Sequence, residues 1–219
     1  MREFLRKQRR LLLLLALLAI WLSLFTAWAY WVTADPLNAP IALTPAGMVD
    51  KKIHVVVPEH YTLVFRFKRA GQPYEQLRTL LGGAASTTAG IPIPIRWSLA
   101  TVSDGRILAS GEVDSAGISA WSSADIERKI GGIRVPSGRY RFKAQVLRGI
   151  PELAHIDTRL AMRGTPKASS TWQISLVWWG SIANMLLLAP LAVLLLLLLL
   201  WRAGRAAFHA AKKAASQES

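Results

Sequence analysis

A mainly β fold, an antiparallel β-sandwich carrying two short helices and flanked by two transmembrane α-helices, is the class this sequence predicts. Three observations carry it: long uncharged apolar runs near both ends, alternation with period two through the middle, and turn-forming residues at short intervals between the alternating stretches.

From Leu11 to Val32 the chain runs 22 residues without a charge, slightly more than the roughly 20 a helix needs to cross hydrocarbon. Arg6, Lys7, Arg9 and Arg10 crowd its near end, while Trp28, Tyr30 and Trp31 cluster at the far one. Basic and amphipathic side chains gather in this way at the two faces of a bilayer. The predicted layout is a basic tail over 1–10, a first span over 11–33, a central domain over 34–173, a second span over 174–201 and a second basic tail over 202–219. A cleaved signal peptide is the rival for the first span, because Ala27-Trp28-Ala29 is a small-x-small run. The apolar run exceeds the roughly 7–15 residues of such a peptide, which favours an uncleaved anchor.

The second span, Ile174 to Trp201, has Trp178, Trp179 and Trp201 near its ends and Arg202, Arg205, Lys212 and Lys213 after it. Both termini are therefore expected in the cytoplasm of a bacterial inner membrane, with the central domain in the periplasm. Pro190 predicts a kink, since it removes a backbone donor and crowds the preceding turn. Asn184, the strongly polar side chain deep in this span, is expected to bond another helix or to lie near an interface rather than to bind substrate; in an accessory subunit it would stand at the helix contact with Gly180, Ser181 and Ala183. The lack of intramembrane charge argues against a transporter or proton relay. Arg205, His209 and Lys212 form one stripe of an alanine-rich tail, which reads either as a helix along the inner surface or as a solvated tail.

In the central domain, residues 34–40 are turn-rich and read as a linker. Lys52 to Val57 and Tyr61 to Lys68 flank Pro58-Glu59-His60 and read as a hairpin with one face in a core. Tyr74, Leu77, Leu80 and Leu81 recur at helical spacing, so a short helix is expected over 74–81, followed by a soft loop from Gly82 to Gly90. Ile95 to Val102 and Arg106 to Val113 form a second hairpin around Ser103-Asp104-Gly105, residue types that tolerate tight-turn backbone angles. A second short helix is expected near Ser123. Arg139 to Leu147 alternates strictly, and Ile156 to Met162 supplies a last strand, for six or seven strands in all. Tyr140, just after Gly138, is placed to make a corner hydrogen bond or to sit as a plain buried tyrosine.

The formal net charge is +14, shared by all the water-facing parts. With two spans in the chain, lipid headgroups or an acidic partner are favoured over nucleic acid, for which no basic aromatic helix, zinc-finger spacing or glycine-rich motif is present. There is no cysteine, which removes disulfides, thiolate metal sites and cysteine nucleophiles. The four histidines, His54, His60, His155 and His209, have no ligand spacing. No nucleophile elbow, P-loop or dinucleotide fingerprint occurs, and Ser110-Gly111-Glu112 and Gly131-Gly132 read as turn chemistry. No enzyme activity and no cofactor are therefore expected. One arrangement stands out, the outward comb Arg139, Arg141 and Lys143, to be joined by Arg66 and Lys68 if their strands share an exposed face. It reads either as a solvated face or as a surface for an acidic protein or anionic headgroups.

The stretches Val57 to Phe67, Gly90 to Leu108 and Val135 to Met162, above all the Pro-x-Gly-x-Tyr strand followed by Pro151-Glu152-Leu153, resemble a family of uncharacterised bacterial envelope domains, domain of unknown function 5625. The resemblance covers residues 41–163 but neither span, implies a β-rich periplasmic domain and transfers no catalytic residue. Three functions follow as expectations: a membrane-anchored binding module, such as an immunity protein that neutralises an envelope-targeting toxin; an accessory subunit packed through its spans into a larger complex; and an anionic-lipid binder. A homo-oligomer is compatible with each.

Overall fold

The computed structural model describes residues 8–71, 73–83, 90–164 and 171–215, with backbone alone for 207 and 209–215. Arg6, Lys7, most of the expected loop between Gly82 and Gly90, and the side chains of His209, Lys212 and Lys213 lie outside the described residues. The chain divides into two compact units, one made of its two ends and the other of Thr33–Thr171.

The first unit is helical. Helix α1 covers Arg9–Thr33; α3 covers Trp172–Ala183, and after a π-helical turn, Asn184–Leu188, α4 continues over Ala189–Ala215. By length and composition both α1 and the run Trp172–Ala206 are able to cross a membrane, with mean hydropathies of 2.4 and 2.7 over an 18-residue window of each. The π-turn stands where a kink is expected. Pro190 has no amide hydrogen for the turn before it and its ring crowds that turn, and the wider turn, in which Ala189 donates to the carbonyl of Asn184, accommodates both effects. Gly180 is packed so closely on Phe25 that a Cβ there would come within 2.5 Å of the ring. The indole of Trp21 donates to Oδ1 of Asn184 at 3.2 Å, as expected for a polar side chain facing another helix. Near the end of the second apolar run, the Arg205 guanidinium lies 5.1 Å from the Trp201 ring centroid.

The second unit contains two antiparallel sheets. Strands β1 (Leu37–Pro40), β9 (Thr158–Gly164), β3 (Glu59–Lys68), β7 (Asp125–Val135) and β6 (Ala120–Trp121) form one, in that spatial order. Strands β2 (Met48–Val55), β8 (Gly138–Val146), β4 (Ile93–Thr101) and β5 (Ile107–Ser115) form the other. Their inner side chains share one hydrophobic cluster, with Phe65, Phe67 and Leu160 from the first sheet and Ile95, Leu99 and Phe142 from the second all essentially buried. Each such side chain contributes roughly 1.5–3 kcal/mol by leaving water. Helix α2, Tyr74–Leu81, lies where the spacing places it and buries Leu77 and Leu81 in the same cluster.

Five sequence expectations are corrected, the first being the strand count, which is nine among the described residues and not six or seven because the short edge strands β1 and β6 are too brief to show alternation. Lys52–Val57 and Tyr61–Lys68 are not a hairpin: β2 pairs with β8, whereas β3 pairs with β7 and β9. The chain crosses from one sheet to the other at Pro58, so the apolar sides of the two strands meet the core from opposite directions. No helix begins near Ser123. The Ser122 hydroxyl accepts the amides of Ala124 and Asp125, which is helix-cap chemistry, but here it closes a turn that enters β7. Residues 37–40 are an edge strand paired with β9, not linker, and Pro40 is tolerated there at the sheet's margin. Gly131-Gly132 and Gly111 lie inside β7 and β5 instead of in turns.

Two tyrosine corners brace the sheets, one on each. Tyr140 donates to the carbonyl of Pro136 at 3.0 Å, and Tyr61 makes the equivalent bond to Val57 at 2.7 Å. Burial first, and the nearby Glu59 second, push the Tyr61 hydroxyl up to about 12. Spectrophotometric titration at 295 nm is therefore expected to show one tyrosine ionising near pH 12, a step that Tyr61→Phe removes. A step near pH 12 that persists in that variant would refute the assignment.

Candidate functional site

The comb predicted from alternation is present on β8, where Tyr140, Phe142 and Ala144 turn inward and Arg139, Arg141 and Lys143 turn outward. Arg66 and Lys68 do not join it. They belong to β3 in the other sheet, and both are engaged there. Arg66 donates to Asp35 at 3.1 Å and to Glu127 at 3.2 Å, and Arg163 meets Glu127 at 2.6 Å. Burial disfavours the Arg66 cation, but the bonds to Asp35 and Glu127 outweigh it and raise its pKa. Lys68 pairs with Asp157 at 2.8 Å. This cluster supports the five-stranded sheet, and the candidate surface is the outer face of the four-stranded one.

That face is built by register. Asp50, Lys143 and Ser98 lie in one row across β2, β8 and β4, with Ser110 of β5 next in it; Lys52, Arg141 and Ala100 lie in the following row. Ser98 and Ala100 on β4 are small, so this inner strand forms the floor of a trough beside the longer Lys143 and Arg141 of β8. Two adjoining hollows of about 430 and 490 Å³ share Ser98 and Lys143 along this line. Lys52, Arg141 and Lys143 wall one side, the pair Arg96–Glu112 (2.8 Å) bounds one end, and Met48 and Ile107, 72% and 63% exposed, leave apolar ground at the rim.

Arg141 grips Asp50 with two hydrogen bonds, at 2.8 and 2.7 Å, and Lys143 stands 4.0 Å from the same carboxylate. The bond from Arg141 holds the Asp50 carboxyl below the ordinary carboxylate range. It therefore stays ionised and presents both cations in a fixed fan. Sequence reasoning missed Lys52, Arg96 and Asp50 because their place beside the comb comes from pairing between strands far apart in the chain. The signal for the trough floor was legible: Ser98 and Ala100 alternate with the inward Trp97 and Leu99.

No group of three metal-ligating side chains occurs among the described residues. What the face offers is charge, hydroxyl groups and an open groove of extended shape.

A family model described as Domain of unknown function (DUF5625) matches residues 38–164, more than half of the chain and nearly all of the two-sheet unit. The chain belongs to this family. The DUF5625 region contains both sheets except for Leu37 at the start of β1, and excludes both apolar helices. Among solved structures, a crystal structure from Sulfurospirillum deleyianum is similar, with a TM-score of 0.51 and 15% identity over 60% of this chain and 98% of that one. At that identity the likeness shows the fold alone. No curated protein matches the chain.

Proposed function

We propose that this DUF5625 protein is a non-enzymatic binding module, a periplasmic β-sandwich anchored in the bacterial inner membrane by two spans, which holds an acidic segment of another envelope protein on the outer face of its four-stranded sheet. The observation that carries the reading is the trough, whose walls set Lys52, Arg96, Arg141 and Lys143 against Glu112, with Asp50 alongside already shared by two cations. From Arg96 to Thr101 it runs about 17 Å, room for an extended segment of about five residues. The anchoring rests on the two apolar helices, on aromatic residues at their ends and on the basic residues that flank both at the chain termini. Immunity against an envelope-targeting toxin is one activity such a module performs, the toxin supplying the acidic segment.

Full-length protein drawn from its native membranes in mild detergent is expected to bring down one stoichiometric partner. Changing Arg139, Arg141 and Lys143 together to Ser should weaken that complex at least tenfold and flatten its salt dependence. Unchanged retention by the triple variant would overturn the proposal. Retention that instead follows the anionic lipid content of added vesicles would transfer the face to headgroup binding.

A further inference from the structure

The helical unit contains a side-chain amide that the described residues leave half used. An indole only donates, so the Trp21 Nε1–H must face Oδ1 of Asn184, and this orients the amide with Nδ2 turned away. Among the described residues no partner of Nδ2 is present. Asn184 lines an open cleft of about 400 Å³ between the helices, walled by Trp21, Phe25, Trp28, Leu176 and Gly180 and almost wholly apolar. Trp21 lies 11 residues from Arg10 and 12 from Thr33, so on the membrane-spanning reading the pair lies near the middle of the hydrocarbon. Water is absent at that depth, and an unused amide donor costs free energy there.

We infer that this face pairs with a second copy of the same chain, each Asn184 donating through Nδ2 to Oδ1 of the other copy. The amide is its own complement. Oδ1 has two acceptor sites, one taken by Trp21 and one open, and Nδ2 has the donors to fill it. A two-fold axis beside the cleft therefore satisfies both copies with the same pair of bonds, and the flanking apolar walls close around them. An acyl chain offers no acceptor at mid-membrane, which is why a protein occupant is chosen over lipid. The inference rests on the spanning reading but not on the trough. It also bears on function, because a dimer carries two troughs, and a partner that engages both gains avidity without any new contact.

The chain has no cysteine, so Ser219→Cys gives a single labelling site for fluorescence energy transfer between full-length copies in phosphatidylethanolamine–phosphatidylglycerol vesicles. Transfer is expected to rise to saturation as the protein-to-lipid ratio increases. Asn184→Leu should shift the midpoint about tenfold toward higher protein density, while Asn184→Gln should hold it within a few-fold. Trp21→Phe removes the bond within one copy but not the bond between copies, and it too should hold the midpoint. Transfer no greater than random monomers give, an Asn184→Leu curve lying on the parent curve, or equal damage from Trp21→Phe would each overturn the inference. Release of the protein from membranes by alkaline carbonate would instead refute the spanning reading beneath it, while full retention with monomeric behaviour would leave that reading standing and remove only the dimer.

Discussion

Arg128→Ala is expected to lower the unfolding free energy of the two-sheet unit by about 3–5 kcal/mol. Arg128 is the largest of the fully buried side chains among the described residues, and it points inward from β7 opposite Phe65. It donates to the carbonyl of Ile91 at 2.9 Å and, more closely still, to the carbonyl of Ser115, while its Nε has no partner among the described residues. Neither acceptor is a carboxylate. Burial pushes its pKa down to about 10, so the group is charged at neutral pH and is held by two backbone dipoles. Ser115 ends β5 in one sheet and β7 belongs to the other, so the guanidinium ties the two layers where their margins approach. Alanine would remove the packing and leave both carbonyls without that donor, each at about 1–3 kcal/mol. Met fills most of the volume and buries no cation, so although it still strands the carbonyls the relieved desolvation offsets part of that cost, and Arg128→Met should cost less, about 1–3 kcal/mol. Urea unfolding of the full chain in detergent, followed by tryptophan fluorescence, measures both. The pH dependence has a definite sign: above about 10 the folded arginine releases its proton before the unfolded one does, so the parent protein gains stability relative to Arg128→Met as pH rises. A Met variant as stable as the parent at neutral pH would show that the cation's burial cost cancels what its two bonds contribute.

How much of this was legible in the sequence depends on whether a feature is local. Period-two alternation identified β3, β4 and β8, and helical spacing identified α2, because those patterns are written within a few residues. Partnership was not legible. A strand that alternates shows which side it buries but not which sheet it joins, so the Pro58 crossing between β2 and β3 looked the same as a hairpin. The short β1 has too few residues to alternate visibly, and its strand character comes from β9. The site divides in the same way. The fan on β8 was readable, whereas Asp50 and Lys52 join it through β2, whose first paired residue, Met48, lies opposite Gln145, nearly 100 positions away. Arg128 escaped notice because a charged residue in a strand reads as outward, and a sequence gives no sign that two carbonyls wait inside. The glycines of β5 and β7 were misread for a related reason. Glycine signals a turn when backbone freedom is required and a strand interior when another side chain must come close, and only the packing distinguishes the two.

Trp97 is that side chain, and Trp97→Ala is expected to cost about 3–5 kcal/mol. It projects from β4 into the core, cross-strand from Gly111 on β5. A Cβ on Gly111 would lie 3.1 Å from the indole Nε1, and one on Gly131, in β7 of the other sheet, would lie 3.7 Å from the ring. The indole therefore fills the space that two glycines leave on opposite walls, and alanine would open a void that neither strand has a side chain to fill. The two glycines should respond differently. At Gly131 the added methyl meets ordinary contact, so Gly131→Ala is expected within about 0.5 kcal/mol of the parent. At Gly111 the ring must give way, so Gly111→Ala alone should destabilise by about 1 kcal/mol or more. Combined with Trp97→Phe, whose smaller ring withdraws from β5, the same Gly111→Ala should cost less than it does alone, giving a favourable coupling of at least about 0.5 kcal/mol in a double-mutant cycle. The four unfolding curves of that cycle measure it directly. Strict additivity would mean that the ring and the glycine do not share the space between them, and the glycine in β5 would then have to be explained by the backbone.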